Sequence, residues 1–242
     1  MWNDVVELRD FYQGRLGGVA RRMIRRRLAG IWPETRGLSI LGIGFATPYL
    51  GLFREDAARI MALMPGGQGA VRWPDPGPGR DNPCQVVLGD ECHLPFADLS
   101  IDRVLLVHAL ECTESLRPMM REVWRVLAPG GRLVVVAPNR RGLWARLERT
   151  PFGMGRPFSR GQLKRSLRDS LFTPERLDHA LYVPPTKSRL VLGSAMAFEE
   201  IGPRWLGGFA GVVMAEAIKA IYAGALPEGQ GQRARLALSG RS

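Results

Sequence analysis

Lysine is nearly missing from this chain of 242 residues. Lys164, Lys187 and Lys219 are the only three among 34 basic residues, so the net charge of +11 rests on arginine. Cysteine is as scarce: Cys84, Cys92 and Cys112 are odd in number and lack Cys-x-x-Cys spacing. Neither a disulfide framework nor a zinc motif follows, and free thiols in a reducing cytoplasm are the expectation. Long apolar runs are lacking too. The best stretch, Phe209 to Gly224, is broken by Glu216 and Lys219, so no membrane-spanning helix is expected. The N-terminus has no secretory apolar core, and Asp4, Glu7 and Asp10 set it apart from an arginine-rich transit peptide.

What is present is the composition of an ordinary globular domain, 45% apolar and 24% charged, long enough for one α/β domain with appendages. The arginines are clustered. Residues 15–27 carry six basic residues and no acid, and residues 132–168 carry ten against Glu148 alone. Such clusters favour anionic partners, and charge does not choose among a phosphorylated substrate, nucleic acid and an acidic membrane surface. Val5, Leu8, Tyr12, Leu16, Val19, Met23, Leu28 and Ile31 recur at helical spacing. They predict one or two amphipathic helices over residues 4–31, divided at Gly17-Gly18. Three uses fit such helices: packing on the main domain, lying on a membrane surface, or closing over a ligand cleft.

From Leu38 onward strands and helices alternate. Strands are expected at 38–43, 59–64, 84–88, 102–107 and 132–137, with a helix from Pro48 to about Ala58 and another over 114–127. The alternation predicts a doubly wound, mostly parallel sheet with helices on both faces. Ser159 is expected to cap a helix to about Leu171, Thr173-Pro174-Glu175 to start another short one, residues 188–200 to be helical, and Ala210–Ala217 to form a last buried strand.

Four segments end where an open α/β sheet binds ligands, at the carboxyl edge of its strands. LSILGIGFATPYL, residues 38–50, runs a strand through Gly42 and Gly44 into a helix with Thr47 as N-cap and Pro48 in the first turn. CQVVLGDECHLPF, residues 84–96, ends a strand on Asp90 and Glu91, and IDRVLLVHALE, residues 101–111, delivers Val107, His108 and Glu111. REVWRVLAPGGRLVVVAPNRRGLW, residues 121–144, turns through Pro129-Gly130-Gly131 and brings Asn139 and Arg140 to the same edge.

The order of these segments over residues 38–138 resembles the class I S-adenosylmethionine-dependent methyltransferases, particularly the small-molecule group of methyltransferase type 11. The resemblance implies a seven-stranded Rossmann-like fold and S-adenosyl-L-methionine as cofactor. Gly42 and Gly44 would lie against its methionine part, Asp90 or its neighbour Glu91 would accept from the adenine amino group, and Val107 would line the cofactor. His108 and Glu111 are the candidates for a general base. Asn139 and Arg140, with Arg156, are the candidates for holding an acceptor in an insertion spanning 139–206. Residues 1–36 then form an N-terminal helical extension, 37–224 the methyltransferase domain and 225–242 a disordered tail.

One departure stands out. The family holds the ribose hydroxyls with an acid at the end of the second strand, but here that strand reads RIMALMPGG, and no acid lies between Asp56 and Asp75. Two readings follow: a cytoplasmic methyltransferase acting on a small-molecule acceptor of anionic or lipid-like character, or a degenerate, non-catalytic binding protein on the same fold. Nucleic acid is disfavoured as substrate because aromatic residues are sparse among the basic clusters. Peripheral membrane contact and the oligomeric state are left open.

Overall fold

The computed structural model describes residues 2–75, 83–205 and 208–220. Seven strands, β1 Ser39–Gly44, β2 Arg59–Pro65, β3 Val86–Gly89, β4 Ile101–Val107, β5 Leu127–Pro138, β6 Phe172–Ala180 and β7 Val212–Lys219, form one sheet in the order β3-β2-β1-β4-β5-β7-β6. The first five in that order pair in parallel, and β7 runs antiparallel to both β5 and β6. The doubly wound, mostly parallel sheet inferred from the alternation is therefore present. Its central strands are buried on both faces, which is why they read as nearly continuous apolar runs.

Alternate residues feed two separate cores. Ile40, Leu105, Val134 and Met214 face one cluster, and Leu41, Leu106, Val135 and Val213 face the other. The first is closed by two N-terminal helices, α1 Val5–Gln13 and α2 Arg15–Ile31, together with α3 Thr47–Leu50. The second is closed by α4 Leu116–Val126 and α5 Arg160–Asp169. The apolar stripe of residues 5–31 is thus spent on the core of the domain. Helices α6 Arg189–Gly193 and α7 Ala195–Trp205 follow β6.

Several local expectations need correction. The N-terminal helices divide at Gly14, whose N–H bonds the carbonyls of Asp10 and Phe11. Gly17 serves a different end: a Cβ there would stand 2.0 Å from the Phe11 carbonyl oxygen, so only glycine lets α2 cross α1 this closely. The helix after β1 stops at Leu50 and continues only as a 3-10 turn, Gly51–Phe53. Its N-cap is Ala46, with Thr47 inside the first turn. The N–H of Ala58 bonds the Leu38 carbonyl at 3.0 Å, which pulls residues 57–58 back to the base of the sheet and leaves no room for a longer helix. Thr173-Pro174-Glu175 belongs to edge strand β6, where a proline costs no ladder bond on its open side. That strand lies inside the segment 139–206 read as an insertion, so part of it completes the sheet. The proposed C-terminal tail lies outside the described residues.

The capping box expected at Ser159 is present, with Gln162 returning the bond to the Ser159 N–H at 2.9 Å. The two charges that interrupt the last apolar run have buried partners. Trp32 Nε1 donates to Glu216 at 3.1 Å, and Lys219 Nζ donates to the Leu127 carbonyl at 2.8 Å beneath the Trp124 ring.

Candidate active site

The carboxyl ends of β1, β2, β3 and β4 form one rim, and α1 lies across it. Gly44 ends β1 with φ +82°, and a Cβ there would stand 2.3 Å from the Val107 carbonyl oxygen. That oxygen accepts from Phe45 N–H at 2.8 Å, so β1 turns sharply against β4 and only glycine fits the turn. Gly42 has a packing reason too: a Cβ would meet Ala46 Cβ at 2.6 Å and Leu50 Cδ1 at 2.8 Å. The two glycines read from the sequence thus let α3 and β4 close on β1 and shape the rim from below.

His108, with φ +50°, is buried just past β4 with its Nε2 2.8 Å from the Tyr12 hydroxyl. Tyr12 in turn meets the Tyr49 hydroxyl at 2.9 Å. Burial raises the pKa of both phenols well above the ordinary tyrosine value, so both are protonated. The Tyr12 hydroxyl, one donor and one acceptor, thus stands between His108 Nε2 and the Tyr49 hydroxyl, within hydrogen-bond distance of each. On the far side of the ring, Nδ1 stands 3.3 Å from Glu111 Oε1. That contact is not aligned as a hydrogen bond. His108 Nδ1 and both Glu111 oxygens have no hydrogen-bond partner among the described residues, although only 1% of His108 and 2% of Glu111 is exposed. Buried polar groups without partners are rare enough to call for an explanation.

A second such group stands where the expected acid is missing. Gln68, three residues beyond β2, is 2% exposed, and neither its Nε2 nor its Oε1 has a partner among the described residues. Its main-chain carbonyl accepts from Val5 N–H at 2.9 Å, tying α1 to the loop. Next to it Gly67 carries the Trp2 indole, whose Cδ1 would stand 2.8 Å from a Cβ at that position. Gln68 is no acid and so does not match the family's ribose position, and the helical spacing marks Tyr12 only as one more apolar core position. The signal for Gln68 was the Gly-Gly-Gln-Gly turn, in which it is the sole polar side chain.

Asp90 and Glu91 point different ways. Asp90 is exposed, accepts from Cys92 N–H at 2.7 Å and pairs with His93 Nδ1 at 2.8 Å. The His93 contact holds the Asp90 carboxyl below its usual pKa and lifts that of His93. Glu91 accepts from the Thr113 hydroxyl at 3.2 Å, which links the loops after β3 and β4. Asn139 is buried, and its amide donates to the Gly208 and Ala210 carbonyls at 3.0 and 2.8 Å, so its side chain fastens the chain entering β7. Arg140 is exposed and donates to the Pro157 carbonyl at 3.3 Å. The structure therefore gathers Gly44, Val107, His108 and Glu111 at one point under α1. Asp90 and Arg140 stand at solvent, and Asn139 is turned inward. Among the described residues no group of His, Cys, Asp and Glu is arranged to hold a metal ion.

Residues 41–135 match the family described as a methyltransferase domain. A demethylmenaquinone methyltransferase of Corynebacterium glutamicum is 42% identical over 57 residues, 24% of this chain and 25% of that protein. The enzyme of the same name from Thermus thermophilus is 26% identical over 144 residues, 59% of this chain and 56% of its own length. The chain thus spans between a quarter and a little over half of these relatives. The Haloferax volcanii protein solved in complex with the Trm112 methyltransferase activator superposes with a TM-score of 0.63, covering 91% of this chain and all of that one at 17% identity. The rim, the strand order and the matched segment define a class I methyltransferase fold. Over residues 41–135 the chain is similar to a methyltransferase domain, and its fold is that of solved S-adenosylmethionine-dependent methyltransferases.

Proposed function

We propose that the chain is an S-adenosylmethionine-dependent methyltransferase that methylates a small-molecule acceptor of anionic or lipid-like character. The observation that carries this reading is the set of buried, unpartnered polar atoms on the rim, the Gln68 amide and the Glu111 carboxylate, on a sheet of this family. Their desolvation costs free energy that a bound polar molecule would offset. In this reading the Gln68 amide, with one donor and one acceptor end, takes the two ribose hydroxyls in place of the missing acid. Asp90 receives the adenine amino group, and the Gly44–Phe45 turn supports the methionine part. When bound, S-adenosylmethionine supplies an electrophilic methyl group on a sulfonium sulfur. The protein's part is to align donor and acceptor and keep water out, which an in-line displacement needs more than it needs a base. Where the acceptor must lose a proton, His108 with Glu111 behind it takes that proton, and Tyr12 must first leave its Nε2.

The hold of Tyr12 on His108 is the one observation that favours the other reading, a non-catalytic protein in which α1 permanently closes the rim. Calorimetric titration with S-adenosylhomocysteine separates the two. Saturable binding that weakens in Gln68→Leu is the expected result, and no heat at millimolar ligand would overturn the proposal.

The demethylmenaquinone methyltransferases point the acceptor toward a quinone-type lipid by name alone. The ten basic residues of 132–168 suit an acidic acceptor by charge. Among the described residues no helix is long and apolar enough to cross a membrane.

A further inference from the structure

Between α1, α2, the start of α3 and the loop after β2 lies a cleft of about 480 Å³, which shares Tyr12 and Phe45 with the site above but whose basic rim has no part in methyl transfer. Its walls are aromatic, formed by Tyr12, Phe45 and Trp73, and its rim is basic, formed by Arg9, Arg21, Arg25 and Arg72 with Asp75 as the acid among them. The break at Gly14 and the close crossing at Gly17 bring Arg9 of α1 and the arginines of α2 to this one opening. Arg9 is paired with its neighbour Asp10 at 3.1 Å. Arg21 and Arg25, one turn apart on α2, make no ion pair among the described residues. Like charges one turn apart on a helix repel each other. Their field also reaches into the protein, where it opposes the rise that burial imposes on the Tyr49 phenol. Two unpaired guanidinium groups over a cleft with aromatic walls form a fork for a phosphate and a surface for a flat or apolar body beside it.

We propose that this cleft binds a phosphate ester, with its phosphate on Arg21 and Arg25 and its uncharged part against Phe45 and Trp73. The ester can be a soluble metabolite or the headgroup of a phospholipid; the chemistry recognised is the same. The site does not rest on methyl transfer.

The test titrates the full chain with phenyl phosphate by calorimetry and, in parallel, sediments it with phosphatidylglycerol or phosphatidylcholine vesicles. Losing two charge-assisted contacts in R21Q/R25Q is expected to weaken binding by about tenfold or more. R15Q/R22Q, which removes the same charge from α2 outside the cleft, is expected to bind as the parent does. Trp73→Ala keeps every charge and is expected to weaken phenyl phosphate while leaving inorganic phosphate unaffected, which keeps the test open should the double variant fold poorly. Saturable phenyl phosphate binding lost in R21Q/R25Q identifies a soluble ester. Phosphatidylglycerol binding lost in R21Q/R25Q without a phenyl phosphate response identifies a headgroup. Equal losses in the two double variants, or no binding in either arm, would overturn the proposal.

Discussion

Replacing Tyr12 by phenylalanine removes one oxygen and leaves the ring in place, stacked on Phe45 at a centroid distance of 5.7 Å. Two buried hydrogen bonds go with that oxygen, 2.8 Å to His108 Nε2 and 2.9 Å to the Tyr49 hydroxyl. His108 Nε2 and the Tyr49 hydroxyl are then left in an apolar setting without partners. Each orphaned group costs about 1–3 kcal/mol, so the closed position of α1 should weaken by about 2–6 kcal/mol. Native-state hydrogen exchange reads this directly, amide by amide. The amides of Leu8 and Tyr12 should exchange about 30-fold faster or more at the low end of that range, while those of Met119 and Val123 in α4 hold. The double variant Tyr12→Phe/Tyr49→Phe should lose less than the sum of its parts, since it removes both ends of one bond. Unchanged α1 protection, within about threefold, would show that the tyrosine–histidine contact does not hold the rim closed.

Gly44→Ala should destabilise the fold by about 3 kcal/mol, combining a positive φ with a clash against the Val107 carbonyl, and a thermal unfolding scan reads the loss. Asn139→Ala should lower stability while leaving the acceptor KM unchanged, because the amide is spent on the Gly208 and Ala210 carbonyls; a raised KM would return it to the acceptor site. The Asp90–His93 pair gives a pH dependence. Asp90 contributes fully above its unfolded value of 3.8 and loses that as pH falls through its depressed pKa. His93 contributes fully below 6.5 and loses that as pH rises through its raised pKa. The His93 ring signals should therefore titrate above 6.5 by NMR and return toward that value in Asp90→Asn; a midpoint unmoved by the substitution would refute the pairing.

Much of the fold was legible because the sheet is buried on both faces. Runs such as Val104–Val107 and Leu133–Ala137 carry their own signal, and Pro129-Gly130-Gly131 marks a turn by composition. What failed were segments whose conformation is set at a distance. Residues 57–58 are drawn down to Leu38 by a backbone bond, and Thr173-Pro174-Glu175 is held as a strand by its pairing with β7. Neither cause is local. At the site, Gly44 and His108 were read at the right edge of the sheet, but their partner Tyr12 comes from 96 positions away in sequence relative to His108. A helical apolar pattern reports that a side chain is buried and says nothing of where its hydroxyl ends. Gln68 escapes a search for an acid, because an amide would meet a diol with one donor and one acceptor end where a carboxylate accepts from both hydroxyls.

Crystals grown with S-adenosylhomocysteine offer the most direct check. The expected structure has the adenosine over the carboxyl ends of β1, β2 and β3, the Gln68 amide on its ribose hydroxyls, and Trp2 and Tyr12 moved from Gly67 and His108 or closed over the ligand as a roof. A structure at saturating ligand in which Trp2 still covers Gly67, the Gln68 amide is still unpartnered and no adenosine is bound would contradict the account.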